Sequence, residues 1–497
     1  MIAQECGRKL FMRHNVKIAI SLGLLFGSYT SQIQSETLKD ALATAYQTNP
    51  QLLETHSELR ATDEGVAQAL ANWRPNVQLT GTLAQQRQQF ENDAFDDLNT
   101  GKENTSATIA LQIDQALYRG GRTASEVEKA EHNVLLARSQ FQIQEQQILL
   151  GALTAYLDVF QNRKILKLRQ ESESILRQQL KAVNDRFEVG ELTRTDVAQA
   201  ESRLAAALAE TATARGNLKV ARASYFQFIG QHPQKLAKPE LLIKLPATIN
   251  EALAAAESAN PNVVAAGQQY RAAVKDVDIA IGLLKPQLTL QAVAQRNFPL
   301  LNDEAKDLAI AQGLNHSRFI DTFSLTLNLT VPLYQQGLRH SQVRQAKQTV
   351  SQAKYALYRI YRQVAQATKQ AWENVSVNRK QITAFQKQVA AARIAFDGIT
   401  KEALLGSRSV LDVLDIQQEL IAAQINLETA IRNERLAAYQ LHDAIGYLTA
   451  KKLNLDVAYY DHEKYYNDVR NKWFGTGDTT IPNYPYTETY VRDNNAQ

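Results

Sequence analysis

The stretch Lys401-Glu402-Ala403-Leu404-Leu405-Gly406-Ser407-Arg408-Ser409-Val410-Leu411-Asp412-Val413-Leu414-Asp415 is a glycine-containing break between two very long amphipathic runs. It has a twin earlier in the chain, Arg186-Phe187-Glu188-Val189-Gly190-Glu191-Leu192-Thr193-Arg194-Thr195-Asp196-Val197. Gly190 and Gly406, Asp196 and Asp412, Ile229-Gly230 and Ile445-Gly446, and Leu117-Tyr118 and Leu333-Tyr334 are each 216 residues apart. Nearer the start of each copy the offset is 211, from Asn49-Pro50 to Asn260-Pro261 and from Arg74-Pro75 to Lys285-Pro286. The chain is therefore a tandem duplication. The second copy gains five residues between about 87 and 320, inside a predicted hairpin loop. Elsewhere the spacing is rigid, as paired helices require.

Each copy starts with a short helix followed by Asn-Pro, in which Asn caps the next helix and Pro fits its first turn. Pro75 and Pro286 stop that second helix. The first repeat is predicted over 36–247, with helices within 37–74, strands at 76–90 and 105–118, a long helix at 122–188 and a return helix at 194–229. The second covers 248–448, with helices within 249–285, strands at 287–298 and 321–334, a long helix at 338–404 and a return helix at 410–445. The strands rest on a period of two: Phe323, Leu325, Leu327, Leu329, Val331 and Leu333 alternate with Thr322, Ser324, Thr326, Asn328 and Thr330. Val77, Leu79 and Leu83, then Ile109, Leu111 and Ile113, then Leu288, Leu290 and Ala292 alternate likewise. Runs of this length can cross a bilayer when tilted, although a soluble hairpin packed on a core would show the same alternation.

The return helix carries a regular seam, Val197, Ala200, Leu204, Ala207, Thr211, Ala214, Leu218, Ala221, Tyr225 and Phe228, repeated 216 residues later from Val413 to Ala444 with Glu434 as the polar exception. The helix before the strands (about 25 residues) and the return helix (about 37) together match the long helix (about 66). Two short helices stacked end to end can thus pair with one long one, in a shaft about 100 Å long. The fold class is mainly α with β: internally duplicated long antiparallel coiled-coil helices plus four strands per chain. Residues 449–497 are polar and tyrosine-rich and are expected to be a poorly ordered tail.

Residues 1–35 read as a signal peptide. Arg8, Lys9, Arg13 and Lys17 precede the apolar run Ile18–Phe26, with small residues at Ser28, Thr30 and Ser31. Met12 is an alternative start, and Cys6, ahead of the apolar run, does not suit a lipoprotein signal. Without this segment the chain has no cysteine, hence no disulfide. Its four basic residues against one acidic remove +3 of the net +4, and a charge of about +1 argues against nucleic acid as a partner. Four strands cannot close alone in lipid. Two, three or four chains would supply eight, twelve or sixteen strands, and the strands themselves do not choose between three and four.

The whole mature chain resembles the TolC family of outer-membrane efflux and secretion channels. The resemblance rests on the duplicated plan, the Asn-Pro helix starts, Leu117-Tyr118-Arg119-Gly120-Gly121 and Leu333-Tyr334-Gln335-Gln336-Gly337 after the second and fourth strands, and the two tips. The tail Tyr459-Tyr460-Asp461 to Lys472-Trp473-Phe474 is similar to that of α-proteobacterial members. The resemblance implies a homotrimer with a 12-stranded β-barrel in outer-membrane lipid and an α-helical periplasmic tunnel. It further implies opening when a periplasmic adaptor and, through it, an inner-membrane transporter of RND or ABC type engage the tips. Cargo, whether drugs, proteins or both, is not specified.

At each tip a hydroxyl stands three residues before an acid, Thr193 to Asp196 and Ser409 to Asp412, a capping-box spacing. Capping and gating are both open for these two acids. Asp415 lies a turn too late to cap, and its counterpart is the neutral Gln199. Asp412 and Asp415 share a helix face, and in a three-fold assembly they would form two acidic rings at the constriction. The resemblance makes Arg408 a gate latch reaching Thr195 and Asp196 on an adjoining tip, with Ala403 where the family's best-known members have a tyrosine. It makes Val189, Gly190, Leu405 and Gly406 adaptor-docking positions. No enzyme site, cofactor motif or metal-binding spacing is present; His462-Glu463 lacks the zinc-protease continuation. The eight histidines read as surface or packing residues. An export duct is the favoured function, and a trimeric outer-membrane adhesin with a coiled-coil stalk is the alternative.

Overall fold

The structure, a computed structural model, describes residues 35–89, 101–300 and 319–477. Residues 1–34 with the expected export signal, the hairpin segments 90–100 and 301–318, and residues 478–497 lie outside the described residues. Within the described residues the order is α1 (Leu38–Thr48), α2 (Pro50–Ala71), β1 (Asn76–Gln89), β2 (Gly101–Tyr118), α3 (Arg122–Glu188), α4 (Arg194–Ile229), α5 (Ile249–Ala259), α6 (Pro261–Gly282), β3 (Gln287–Leu300), β4 (Ile320–Thr330), α7 (Leu338–Leu404), α8 (Val410–Ala444) and α9 (His462–Arg470). The long helices α3 and α7 have 67 residues each, about 100 Å at the helical rise. None of the described helices is long and apolar enough to cross a membrane.

The shaft is spliced by two buried asparagines. Asn49 caps α2, its Oδ1 accepting from the Gln51 N–H at 3.0 Å. Its Nδ2 donates to the Phe228 carbonyl, in the last turn of α4, at 3.0 Å. Asn260 does the same in the second copy, accepting from Asn262 at 2.9 Å and donating to Ala444 O at 2.7 Å. The C-terminus of each return helix thus abuts the N-terminus of a short helix, and the opposed helix-end partial charges attract. α3 pairs with α4 on the tip side of the splice and with α2 and α6 on the strand side; α7 pairs with α8 and α6. α4 buries Ala200, Ala207, Ala214 and Ala221 every seventh residue, with Thr211, Leu218 and Tyr225 each four residues after one of the last three, as a coiled-coil seam demands. A mid-shaft collar of α1, the 230–248 linker and the segment after α8 packs around the splice, with Tyr156, Tyr225 and Tyr439 fully buried.

Gly151, the single glycine inside α3, lies against Phe228. A Cβ there would sit 2.7 Å from Cδ1 and 2.8 Å from Cζ of that ring. The second copy solves the same contact with Ala367 and Ala444, 216 residues on, which line one crevice.

The four strands form one antiparallel sheet in the order β1-β2-β3-β4. Its register aligns Val77 with Ile113, Leu79 with Leu111, Leu288 with Leu329, and Leu290 with Leu327. The β2–β3 register sets Leu111 opposite Ala294 and Ile113 opposite Ala292. One face is therefore apolar across all four strands. The other carries Thr108 bonded to Asn297, and Asp114 bonded to Gln112 and Gln291. Among the described residues no helix covers the apolar face, where Leu79, Leu83 and Phe323 are 72–75% exposed. β4 ends at Thr330, short of the expected 334, because Pro332 has no N–H to give a ladder.

The expectation of a poorly ordered tail is wrong for residues 449–477. This segment runs along α2 and α3 and contains α9. Tyr460 stacks on His56 with centroids 4.1 Å apart, and Tyr465 donates to Glu64 at 2.9 Å. Arg470 pairs with Glu131 at 2.6 Å, and Ala450 N–H donates to the buried Glu145 carboxylate at 2.7 Å. Composition misled because the tyrosines bury their rings on the shaft while their hydroxyls find partners there.

Two outcomes follow. Gly151→Ala gains about 0.5–1 kcal/mol of helix propensity but forces overlap worth about 1–3 kcal/mol, so it should lower the melting temperature. Gly151→Ala with Phe228→Ala should recover much of the loss; a stabilised single variant would show the ring moves freely. Burial raises the Glu145 carboxyl to about 7, the Ala450 N–H opposing it in part. The fold therefore holds that proton more tightly than the unfolded chain, and its contribution is full below the ordinary glutamate value and lost as pH rises toward 7. Glu145→Gln should leave the melting temperature nearly unchanged at pH 5 and raise it at pH 8, by at most about 3 kcal/mol of stability.

Candidate gate at the helix tips

Both tips are built alike. Gly190 and Gly406 have φ of 80° and 78°, a left-handed conformation open to glycine without strain. Glu191 N–H reaches back to Arg186 O, and Ser407 N–H to Glu402 O, each at 3.0 Å, closing Schellman-type C-caps. Four residues are then enough to turn the chain before Thr193 and Ser409 cap the return helices. Val189 and Leu405, the expected docking positions, stand 71% and 84% exposed beside these glycines.

Asp196 and Asp412 do cap. Each carboxylate accepts from both the N–H and the hydroxyl of its N-cap residue, Thr193 at 2.8 and 2.8 Å and Ser409 at 3.0 and 2.8 Å. These bonds hold both carboxyls below the usual aspartate range, Asp196 chiefly through the Thr193 N–H and Asp412 chiefly through the Ser409 hydroxyl, with Arg408 adding a smaller pull on Asp412. The caps therefore persist above the ordinary aspartate value and loosen only as pH falls below it.

Arg408 reaches neither Thr195 nor Asp196 within the chain. Its Nε donates to Glu402 at 2.9 Å, across its own tip. The Glu402 carboxylate, and next the Asp412 charge, keep the guanidinium firmly protonated. The first tip has a similar staple, Arg186 to Glu191 at 3.0 Å. Position 186 corresponds to 402, so the two staples carry their charges in opposite order along the chain.

Asp415 has no cap to serve, as expected, but it is not alone. Arg203 of α4 donates through one Nη to Asp415 at 2.6 Å and through the other to Gln418 at 2.6 Å. Sequence reasoning missed Arg203 and Glu402. A signal existed for Glu402, six residues before Arg408 across a turn, but the partner of Asp415 is 212 residues away and visible only after the hairpins are brought together. That docking is apolar: Leu414 packs with Leu176 and Ala207, with Val410 and Leu204 at its edge. The tips carry three ion pairs and two capping boxes, all at the surface. Among the described residues no group of His, Cys, Asp or Glu is arranged to hold a metal ion.

Residues 41–231 and 252–447 match the family model described as outer membrane efflux protein. The outer membrane efflux protein BepC of Brucella suis is 35% identical over 441 residues, covering 89% of this chain and 92% of that one. The outer membrane protein TolC of Escherichia coli is 24% identical, covering 88% and 87%. Relatives at 22% and 24% identity are named for protease secretion. Among solved structures, the Campylobacter jejuni CmeC outer membrane channel superposes with a TM-score of 0.72 at 12% identity, over 92% of this chain and 98% of that one.

Proposed function

Because the chain belongs to the outer membrane efflux protein family, we propose that it acts as the outer-membrane exit duct of a tripartite efflux pump or a type I secretion system, or of both. The observation that carries this reading is the sheet. It is apolar on one face and polar on the other, uncovered by helices, and joined directly to a shaft of about 100 Å. An apolar-out, polar-in alternation suits a barrel wall between lipid and an aqueous lumen. Nothing in it suits a stalked adhesin, which needs neither a duplicated chain nor returning helices.

The assembly is a homotrimer. The free edges of β1 and β4 demand partners in lipid, and three chains give twelve strands, enough to leave a passage. The α2–α3–α6–α7 layer of three chains gives a ring of twelve helices below it. Small molecules or proteins pass from an inner-membrane transporter through a periplasmic adaptor into this duct, and the chain supplies a passage and no catalysis.

The gate is the ring of six tips. Val189, Gly190, Leu405 and Gly406 meet the adaptor, with the two apolar side chains already bare. In the closed state Arg408 leaves Glu402 for Thr195 and Asp196 of an adjoining tip, so the staple and the latch compete for one guanidinium. Asp412 and Asp415 form the constriction, where Arg203 offsets the Asp415 charge and leaves Asp412 as the dominant acidic ring.

Detergent-purified protein should have the mass of three chains and conduct in planar bilayers; a conducting monomer overturns the assembly. Arg408→Ser and Asp196→Ala should each raise single-channel conductance and admit vancomycin into cells, and the double variant should add little to Asp196→Ala alone, which breaks the same inter-tip contact and also opens the α4 cap. Glu402→Gln should do the reverse by freeing Arg408. Wild-type conductance in all three would mean that coiled-coil packing alone holds the tips. In the same bilayers Asp412→Asn should lower cation selectivity and Arg203→Gln should raise it. An unchanged reversal potential in Arg203→Gln would remove Arg203 from the pore.

A further inference from the structure

We propose that the segment Lys472–Phe474 is a lipid anchor, which seats its aromatic pair in the periplasm-facing phospholipid leaflet and ties the collar of the shaft to the membrane. This rests on the outer-membrane reading above and assigns the tail a task of its own. The geometry is a climb. Tyr460 stacks on His56, Tyr465 bonds Glu64, and Arg74 Nη1 donates to Lys472 O at 2.7 Å. From His56 to Arg74 is 18 residues of chain, about 27 Å at the helical rise. The tail therefore leaves mid-shaft and arrives where β1 begins at Asn76.

There it presents Trp473 and Phe474, 59% and 85% exposed, with centroids 6.4 Å apart. The Arg74 guanidinium lies 4.7 Å from the Trp473 ring centre, which fixes one aromatic of the pair by a cation–π contact. Among the described residues, Trp73, Tyr118 and Tyr334 are also bare at this level, with Leu117 and Leu333 beside them. All lie within a few residues of a strand end, at the border between the bare apolar sheet and the shaft. Rings with one wet edge gather at that depth of a bilayer, where cations such as Lys472 and Arg74 meet lipid phosphates. Two adjacent exposed aromatics facing water would be an unfavourable surface.

The tail lies on the outer side of the ring. Twelve helices spaced about 10 Å apart enclose a circle about 38 Å across at their axes. Three collars and three tails inside that circle would fill the duct.

The test uses the full chain with Trp73→Phe and Trp372→Phe, leaving Trp473 as its one tryptophan. It is reconstituted in phosphatidylethanolamine–phosphatidylglycerol vesicles containing lipids brominated near the headgroup or deep in the acyl chain. Shallow bromines should quench Trp473 emission roughly twofold and more than deep ones, as an interfacial ring requires, and aqueous iodide should quench it weakly. Iodide quenching with no bromine effect overturns the anchor. A second reporter, with Trp473→Phe added and Leu327→Trp on the apolar sheet face, tests the membrane reading separately. If deep bromines quench that reporter while Trp473 stays exposed to iodide, the anchor alone fails. If neither reporter responds to bromine, the spanning sheet fails with it.

Discussion

Two asparagine side chains hold the shaft in register. Each works in two directions, accepting from an N–H at the start of one helix and donating to a carbonyl at the end of another. They are 6% and 4% exposed, so a bond lost there would leave polar groups buried without partners. Everything beyond the splice depends on it. A residue added to any shaft helix would shift the tip by about 1.5 Å and turn the seam by about 100°. The rigid 216-residue offset between the copies is the sequence trace of that constraint.

At one end of the shaft the constraint yields a sheet that no single chain can finish. Among the described residues its apolar face is bare and its edge strands are unpaired, which is the feature the proposed multi-chain barrel answers. The collar at mid-shaft answers a different need. It covers the splice, where helix ends would expose polar groups, and the buried tyrosines there reach a linker carbonyl and a carboxylate just before α1: Tyr156 to Ala237 at 2.8 Å, Tyr225 to Glu36. The copies differ at one packing contact inside the shaft hairpin, where Gly151 and Phe228 of the first copy are replaced by Ala367 and Ala444 in the second.

At the other end, the tips combine firm local structure with weak long-range contacts. Schellman turns and capping boxes fix each tip from within. The charges that could join one tip to another are exposed and screened by salt. Such contacts are suited to being exchanged, and Arg408, bonded to Glu402, also lies within the field of the Asp412 charge.

The sequence by itself determined the duplication, the helix and strand runs, the glycine turns and the caps at Thr193 and Ser409. The duplication shows as a fixed offset of matching residues, and the others depend on neighbours two to five residues apart, so their physics is written along the chain. Only the tertiary structure decided that Asp415 meets Arg203, that Phe228 needs Gly151, and that Arg408 sits on Glu402 within the chain. It alone decided that a tyrosine-rich tail, polar enough to read as disordered, clamps onto α2 and α3. Arg408 and Glu402 are close in the chain, but which way the guanidinium turns is set by the folded tip. The other outcomes join residues far apart in the chain, Asp415 and Arg203 by 212 positions, and side-chain pairing across such a gap has no period for a sequence to display.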